Sequence, residues 1–138
     1  MIRVADRGDV EAVYRLIRQL SHHDFTKEQF ENCFFDTIEE GRVLVYETEN
    51  LVCGCLVFAI HYPLQFSRKT AEIVNLIVDE NSRNCGIGKR LIDSFERIAI
   101  ENDCVRIDVA SANRRKDAHR FYEREGFLFT HHKFTKEL

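Results

Sequence analysis

The chain reads as an α/β protein whose sheet contains both an antiparallel hairpin and a parallel pair of strands. Two β-rich runs, Val43-Leu44-Val45-Tyr46 and residues 51–60, flank the polar Glu47-Thr48-Glu49-Asn50, which is the signature of a hairpin. A mostly apolar run over residues 70–78 enters a glycine loop, a helical pattern leaves that loop, and a further β-rich run covers residues 104–109. Strand, helix and strand in this order imply a right-handed crossover and so a parallel pair. The helix start and the carboxyl ends of both strands then lie on the sheet edge where α/β proteins hold ligands.

In chain order, residues 2–4 form a short strand, and Asp6 caps a helix whose apolar face is Val10, Val13, Ile17 and Leu20. His22-His23-Asp24 is a polar, solvated link. Thr26 with Gln29 makes a capping box, and Phe30, Cys33, Phe34 and Ile38 continue at helical spacing until Gly41. After the hairpin the second run carries on to His61 and Tyr62. Pro63, the only proline, breaks it, and Gln65-Phe66-Ser67-Arg68-Lys69 forms a loop that either shapes a substrate mouth or simply connects. Past Gly88, Leu91, Phe95 and Ile98, with Ile92 and Ala99 beside them, bury one face of the central helix. In the last helix Ala118, Phe121, Tyr122 and Glu125 share a face, and Gly126 suits the left-handed residue that ends it. Phe127-Leu128-Phe129 and the alternating Lys133-Phe134-Thr135-Lys136 complete the chain as strand.

Composition narrows the function. With 138 residues, 44% hydrophobic and 31% charged, the chain fits one domain, residues 1–138, with a real core. A formal net charge of −3 gives no general attraction for nucleic acid. Apolar runs stay under ten residues and the start lacks a basic region followed by an apolar core, so no membrane partner and a cytoplasmic location are expected. The five cysteines are an odd number without a Cys-x-x-Cys pair, which argues for free thiols and against a zinc site, and no spacing requires another metal. Cys53 and Cys55 read as small buried hydrophobes on one strand face.

The loop Arg83-Asn84-Cys85-Gly86-Ile87-Gly88-Lys89 carries the chemistry. The first N–H groups of a helix have no partner within it and carry the positive end of its dipole, so a loop exposing them suits an anion such as phosphate. Gly86 and Gly88 leave room for it, and Lys89 and Arg90 add charge. Taken alone, the loop reads as a tight strand-to-helix connection whose glycines only make the turn, since the spacing matches neither the dinucleotide fingerprint nor the P-loop.

Taken with Asn113 and the run Ala118-His119-Arg120-Phe121-Tyr122-Glu123-Arg124-Glu125-Gly126-Phe127, the loop resembles the GNAT superfamily of N-acetyltransferases, in which Gln/Arg-x-x-Gly-x-Gly/Ala binds pyrophosphate. Within it the chain most resembles the aminoalkylphosphonate N-acetyltransferases, through Ala12-Val13-Tyr14, Leu16-Ile17, the stretch from Asp117 to Gly126, and the ending Phe134-Thr135-Lys136 with Leu138. The resemblance implies the GNAT fold: a mixed, mostly antiparallel sheet of six to seven strands, its parallel pair splayed at the cofactor site, flanked by about four helices. It implies transfer of acetyl from acetyl-CoA to the primary amine of a small molecule, an aminoalkylphosphonate among the candidates, and leaves a homodimer open. A CoA-binding regulatory domain without turnover and a protein or peptide N-acetyltransferase are the alternatives.

It also distributes roles. Backbone amides from Arg83 through Asn84, Cys85, Gly86, Ile87 and Gly88 to Lys89 hold the CoA pyrophosphate. The strand Leu76, Ile77 and Val78 runs beside the pantetheine arm and offers an oxyanion donor. Asn113 contacts the cofactor or caps a helix. Lysine-type amines, with a pKa of about 10.4, are nearly all protonated near neutral pH and need a base. Glu72 is the candidate, directly or through a water, though it also reads as a solvated strand-end carboxylate. Tyr122, also cofactor-binding, gives a proton to the departing thiolate or is simply core. For a phosphonate head, His61, Arg68, Lys69, His131 and His132 are available.

Overall fold

Asp6 ends the first strand, β1 (Ile2–Val4), and opens the first helical segment, a 3-10 turn over Arg7–Asp9 that runs into α1 (Val10–Leu20). Its carboxylate accepts from the Gly8 N–H at 2.8 Å, and Asp9 accepts from the Asp6 N–H at 2.8 Å, so the expected cap is a reciprocal capping box. Asp9 is buried and Arg3 grips it with two bonds of 2.8 and 2.9 Å, which ties β1 to the helix start. The second box forms as the spacing predicts: the Gln29 N–H donates to Thr26 Oγ1 at 3.1 Å and the Thr26 N–H to Gln29 Oε1 at 2.8 Å, opening α2 (Lys27–Glu39).

The computed structural model describes all 138 residues, in two compact units, Met1–Asp108 and Val109–Leu138. The sheet has the order β1-β2-β3-β4-β5, with β2 (Val43–Thr48), β3 (Leu51–His61), β4 (Thr70–Val78) and β5 (Ile107–Val109). β1 to β4 pair antiparallel and β4 with β5 parallel, so the mixed, mostly antiparallel sheet is as expected. The hairpin is tighter than the four-residue link suggested. β2 extends through Thr48, and Glu49 and Asn50, at φ 51° and 61°, make a two-residue turn of the kind that matches strand twist.

Two register shifts shape the sheet. Between β2 and β3 the shift at Tyr46/Glu47 leaves Cys53 as an extra residue, and between β3 and β4 the shift at Val57/Phe58 leaves Val74 as one. Cys53 and Cys55 are both buried as expected, but strict alternation fails at Cys53. The α1 and α2 face is filled by Val13, Leu16, Phe34, Val43, Val45, Cys55 and Ile77. The other face receives α3 (Ile87–Glu101), whose Leu91, Ile92 and Phe95 are fully buried, with the Phe95 ring 4.7 Å from that of Phe58. Gly54 makes this approach feasible, because a Cβ there would lie 2.9 Å from Ile87 Cγ2.

The second unit contains α4 (Lys116–Arg124). Gly126, at φ 93°, takes the predicted left-handed position. Its N–H reaches Glu123 O at 3.1 Å, the Phe127 N–H reaches Tyr122 O at 3.0 Å, and the Phe127 and Tyr122 rings stand 5.7 Å apart, a complete Schellman ending. The expectation of six to seven strands is corrected here: the sheet has five. Residues 127–129 and 133–136 form no strand, and Leu128, Phe129 and Phe134 are exposed. An alternating pattern fits a strand, but a strand exists only where a neighbour completes its ladder, and the pattern does not supply one.

Candidate active site

The chain leaves β4 through Asp79, which is only 6% exposed. Its N–H donates to Cys53 O at 2.8 Å, and its carboxylate accepts from the Asn81 N–H at 2.9 Å, from the Arg15 guanidinium, and from Gln19 Nε2 at 3.4 Å. Gln19 Oε1 in turn accepts from the Glu80 N–H at 3.0 Å, and Arg15 Nη2 donates to Val52 O at 3.0 Å. One turn of α1 thus clamps the entrance of the glycine loop. The Asn81 amide, helped by Arg15 and Gln19 and opposed by burial, holds the Asp79 carboxyl below its ordinary range.

Past this clamp, Arg83 Nε donates to Val78 O at 3.3 Å and Cys85 Sγ lies 3.6 Å from Arg83 O. Asn84 and Gly86 adopt φ of 64° and 77°, so the backbone turns sharply twice before α3. Gly86 is the N-cap residue and supplies no side-chain cap, and the first turn of α3 has no acidic residue. Residues 83–86 are exposed, and a Cβ on Gly86 would meet nothing within 4 Å. The helix mouth is therefore open, positive in dipole, and shaped to accept an anion. Lys89 engages Asp93 at 2.9 Å, and Arg90 Nη1 donates to Tyr46 Oη at 3.1 Å, so both cations are held beside the mouth by their own chain.

A sequence model of the acetyltransferase (GNAT) family matches residues 10–127. The chain belongs to the GNAT acetyltransferase family. Aminoalkylphosphonate N-acetyltransferase of Salmonella typhimurium is 29% identical over 140 residues, which cover 99% of this chain and 90% of that protein. Two solved structures share the fold: a transcriptional regulator from Bacillus halodurans, with a TM-score of 0.86 at 23% identity over 100% of this chain and 99% of that one, and a ribosomal-protein-alanine N-acetyltransferase from Brucella melitensis biovar Abortus, with a TM-score of 0.83 at 14% identity over 100% and 99%. As a GNAT acetyltransferase, the protein is an acetyl-CoA-dependent N-acetyltransferase. None of its helices is long and apolar enough to cross a membrane.

The sequence-selected residues of this GNAT chain divide between the two units. In the first, Leu76, Ile77 and Val78 pair with Leu56, Cys55 and Gly54, and lead directly to the loop from Arg83 to Lys89. Glu72 lies four residues before Leu76, about 13 Å along the strand. The extra residue at Val74 puts Glu72, opposite Ala59, and Asn75, opposite Val57, on the same face, although they are three apart. Glu72 is not merely solvated: its Oε1 lies 2.9 Å from His61 Nε2.

Asn113 and Tyr122 belong to the second unit. Asn113 is exposed in the turn before α4, where Arg115 holds the N-cap position without a side-chain bond, so the capping alternative does not apply. Tyr122 is buried, its ring 5.5 Å from Phe121. Burial raises its pKa against the opposing charge of Arg115, so the packed ring keeps its proton at neutral pH. Of the thiols, Cys85 is exposed in the loop, while burial pushes the thiol of Cys55 up to about 12 and leaves it inert.

Sequence reasoning missed Asp79 with its partners Arg15 and Gln19, the close approach at Gly54, and the pairing of His61 with Glu72. Arg15 and Gln19 stand four apart on the polar side of an amphipathic helix, and that spacing was the one available sign that they act together.

Proposed function

We propose that the protein transfers the acetyl group of acetyl-CoA to the primary amine of a small molecule, and that an aminoalkylphosphonate is its substrate class. The observation that carries this reading is the open mouth of α3, uncapped by any side chain and entered through two left-handed residues. Amides of the loop from Arg83 to Lys89 receive the pyrophosphate, the backbone of Leu76, Ile77 and Val78 lies along the pantetheine arm, and an N–H of that strand polarises the thioester carbonyl. Asn113 contacts the cofactor. Residues 1–138 act as a single acetyltransferase domain.

In the transfer the amine nitrogen attacks the thioester carbon, the carbon–sulfur bond breaks, and one proton must leave the amine while one reaches the thiolate. The base site lies at Glu72. Tyr122 keeps its hydroxyl proton at neutral pH and is the donor to sulfur. Support for the phosphonate class is the 29% identity to the Salmonella enzyme along nearly the whole chain, together with the cations Arg68 and Lys69 in the link between β3 and β4.

The test is thiol release from acetyl-CoA with a panel of aminomethylphosphonate, polyamines, aminoglycosides and peptides. Turnover fastest with aminomethylphosphonate is expected. Turnover confined to another amine removes the phosphonate assignment, and no release with any amine, or no calorimetric heat with acetyl-CoA, removes the whole reading.

A further inference from the structure

β3 ends at His61 and β4 begins at Thr70, and the register pairs His61 with Thr70 and Ala59 with Glu72. His61 and Glu72 are thus diagonal neighbours on one face, within reach of long side chains. Their side chains meet, His61 Nε2 to Glu72 Oε1 at 2.9 Å, and both remain accessible, 51% and 38% exposed. A carboxylate can only accept, so with Glu72 ionised Nε2 carries the hydrogen and the lone pair of a neutral ring sits on Nδ1, the nitrogen that does not face Glu72, on a side chain that is half exposed.

We infer that the base of this acetyltransferase is the pair, with His61 Nδ1 as the proton acceptor and Glu72 as the carboxylate that orients the ring; this rests on the amine-acetylation reading above. The incoming ammonium first gives a proton to Nδ1 and becomes the free amine. Its nitrogen then bonds to the thioester carbon, and the carbon–sulfur bond breaks. The thiolate takes a proton from Tyr122, and the second amine proton restores Tyr122 through solvent. The imidazolium that forms is stabilised across the Nε2–Glu72 bond, and it later releases the proton to water. Imidazoles as a class have a basicity matched to neutral pH, whereas a free carboxylate is a weak acceptor for an amine proton, so the ring is the better base and the carboxylate the better orienter. The other charged groups at this end of the strands include Arg68, Lys69, Asp103, Arg106 and Asp108, the last held by Arg106 Nε at 3.1 Å. Lys69 Nζ lies 5.9 Å from the Tyr62 ring centre and the Arg106 guanidinium 4.3 Å from that of Phe66.

The experiment compares wild type, His61→Gln, His61→Ala and Glu72→Gln in thiol release, with acetyl-CoA affinity followed by calorimetry. His61→Gln keeps a hydrogen-bond donor toward Glu72 but cannot take a proton, so it separates chemistry from positioning. Both His61 variants should lose on the order of 100-fold in kcat with acetyl-CoA affinity unchanged. Added imidazole should restore part of the rate of His61→Ala, and an amine already uncharged at neutral pH should show a much smaller loss. Glu72→Gln should lose less than His61→Gln. Full activity in His61→Gln, or a Glu72→Gln loss exceeding it without imidazole rescue of His61→Ala, overturns the proposal and returns proton acceptance to Glu72, with the acetyltransferase reading intact. A wild type silent toward every amine overturns both.

Discussion

Gly54→Ala tests whether the approach of α3 to β3 sets the helix mouth. A Cβ at this position would lie 2.9 Å from Ile87 Cγ2, 3.2 Å from Leu91 Cδ1 and 3.4 Å from Tyr46 Cβ. Carbon atoms rest at about 3.5–4.0 Å, so the first two contacts are too short, and the Ile87 and Leu91 side chains and the start of α3 must share the shift. Overpacking of this kind costs about 1–3 kcal/mol, and because the ends of two flexible side chains absorb part of it, about 1.5 kcal/mol is expected. For a chain of this size that lowers the thermal midpoint by roughly 5–7 °C. Ile87 is the first residue of α3, so the same movement displaces the amides at the mouth, and acetyl-CoA affinity should fall roughly fivefold, or about 1 kcal/mol. Thermal unfolding and calorimetric titration read the two effects. Ile87→Ala removes the closest atom, so Gly54→Ala should cost at least ~1 kcal/mol less in that background than in the wild type. An unchanged midpoint in the single variant, or strict additivity in the pair, would refute the argument.

Three further expectations follow the same logic. Gly86→Val should weaken acetyl-CoA binding by tenfold or so in calorimetry, because a branched residue at φ 77° is strained by about 1–3 kcal/mol although the space around it is open; equal affinity would count against the pyrophosphate assignment. Tyr122→Phe should slow thiol release about 100-fold and leave acetyl-CoA binding within about twofold, and unchanged turnover would remove Tyr122 from the mechanism. Asp79 has a folded-state pKa below its unfolded value, so its contribution is complete above about pH 4 and is lost as pH falls through the folded pKa. Asp79→Asn should therefore cost about 1–2 kcal/mol at pH 7, the Arg15 partner being partly solvated, and cost less in denaturant unfolding as acid protonates the wild-type carboxyl; a loss independent of pH would contradict this.

The amino-acid sequence alone determined the elements whose signals are local. Thr26 and Gln29 wrote a capping box three residues apart, Gly126 marked the end of α4, and the run from strand through Gly86 to an amphipathic helix announced an open helix mouth, because each of these is decided within a few residues of backbone. Tertiary structure decided what depends on partners distant in the chain. Two register shifts turned alternation off at Cys53 and Val74, and the second set Glu72 on one face with Asn75. The hairpin brought His61 onto Glu72 from eleven residues away, and the packing of α1 brought Arg15 onto Asp79 from 64. The final segment shows the same divide from the other side: residues 133–136 alternate as a strand should, yet a ladder needs a neighbour, and side-chain pattern cannot create one.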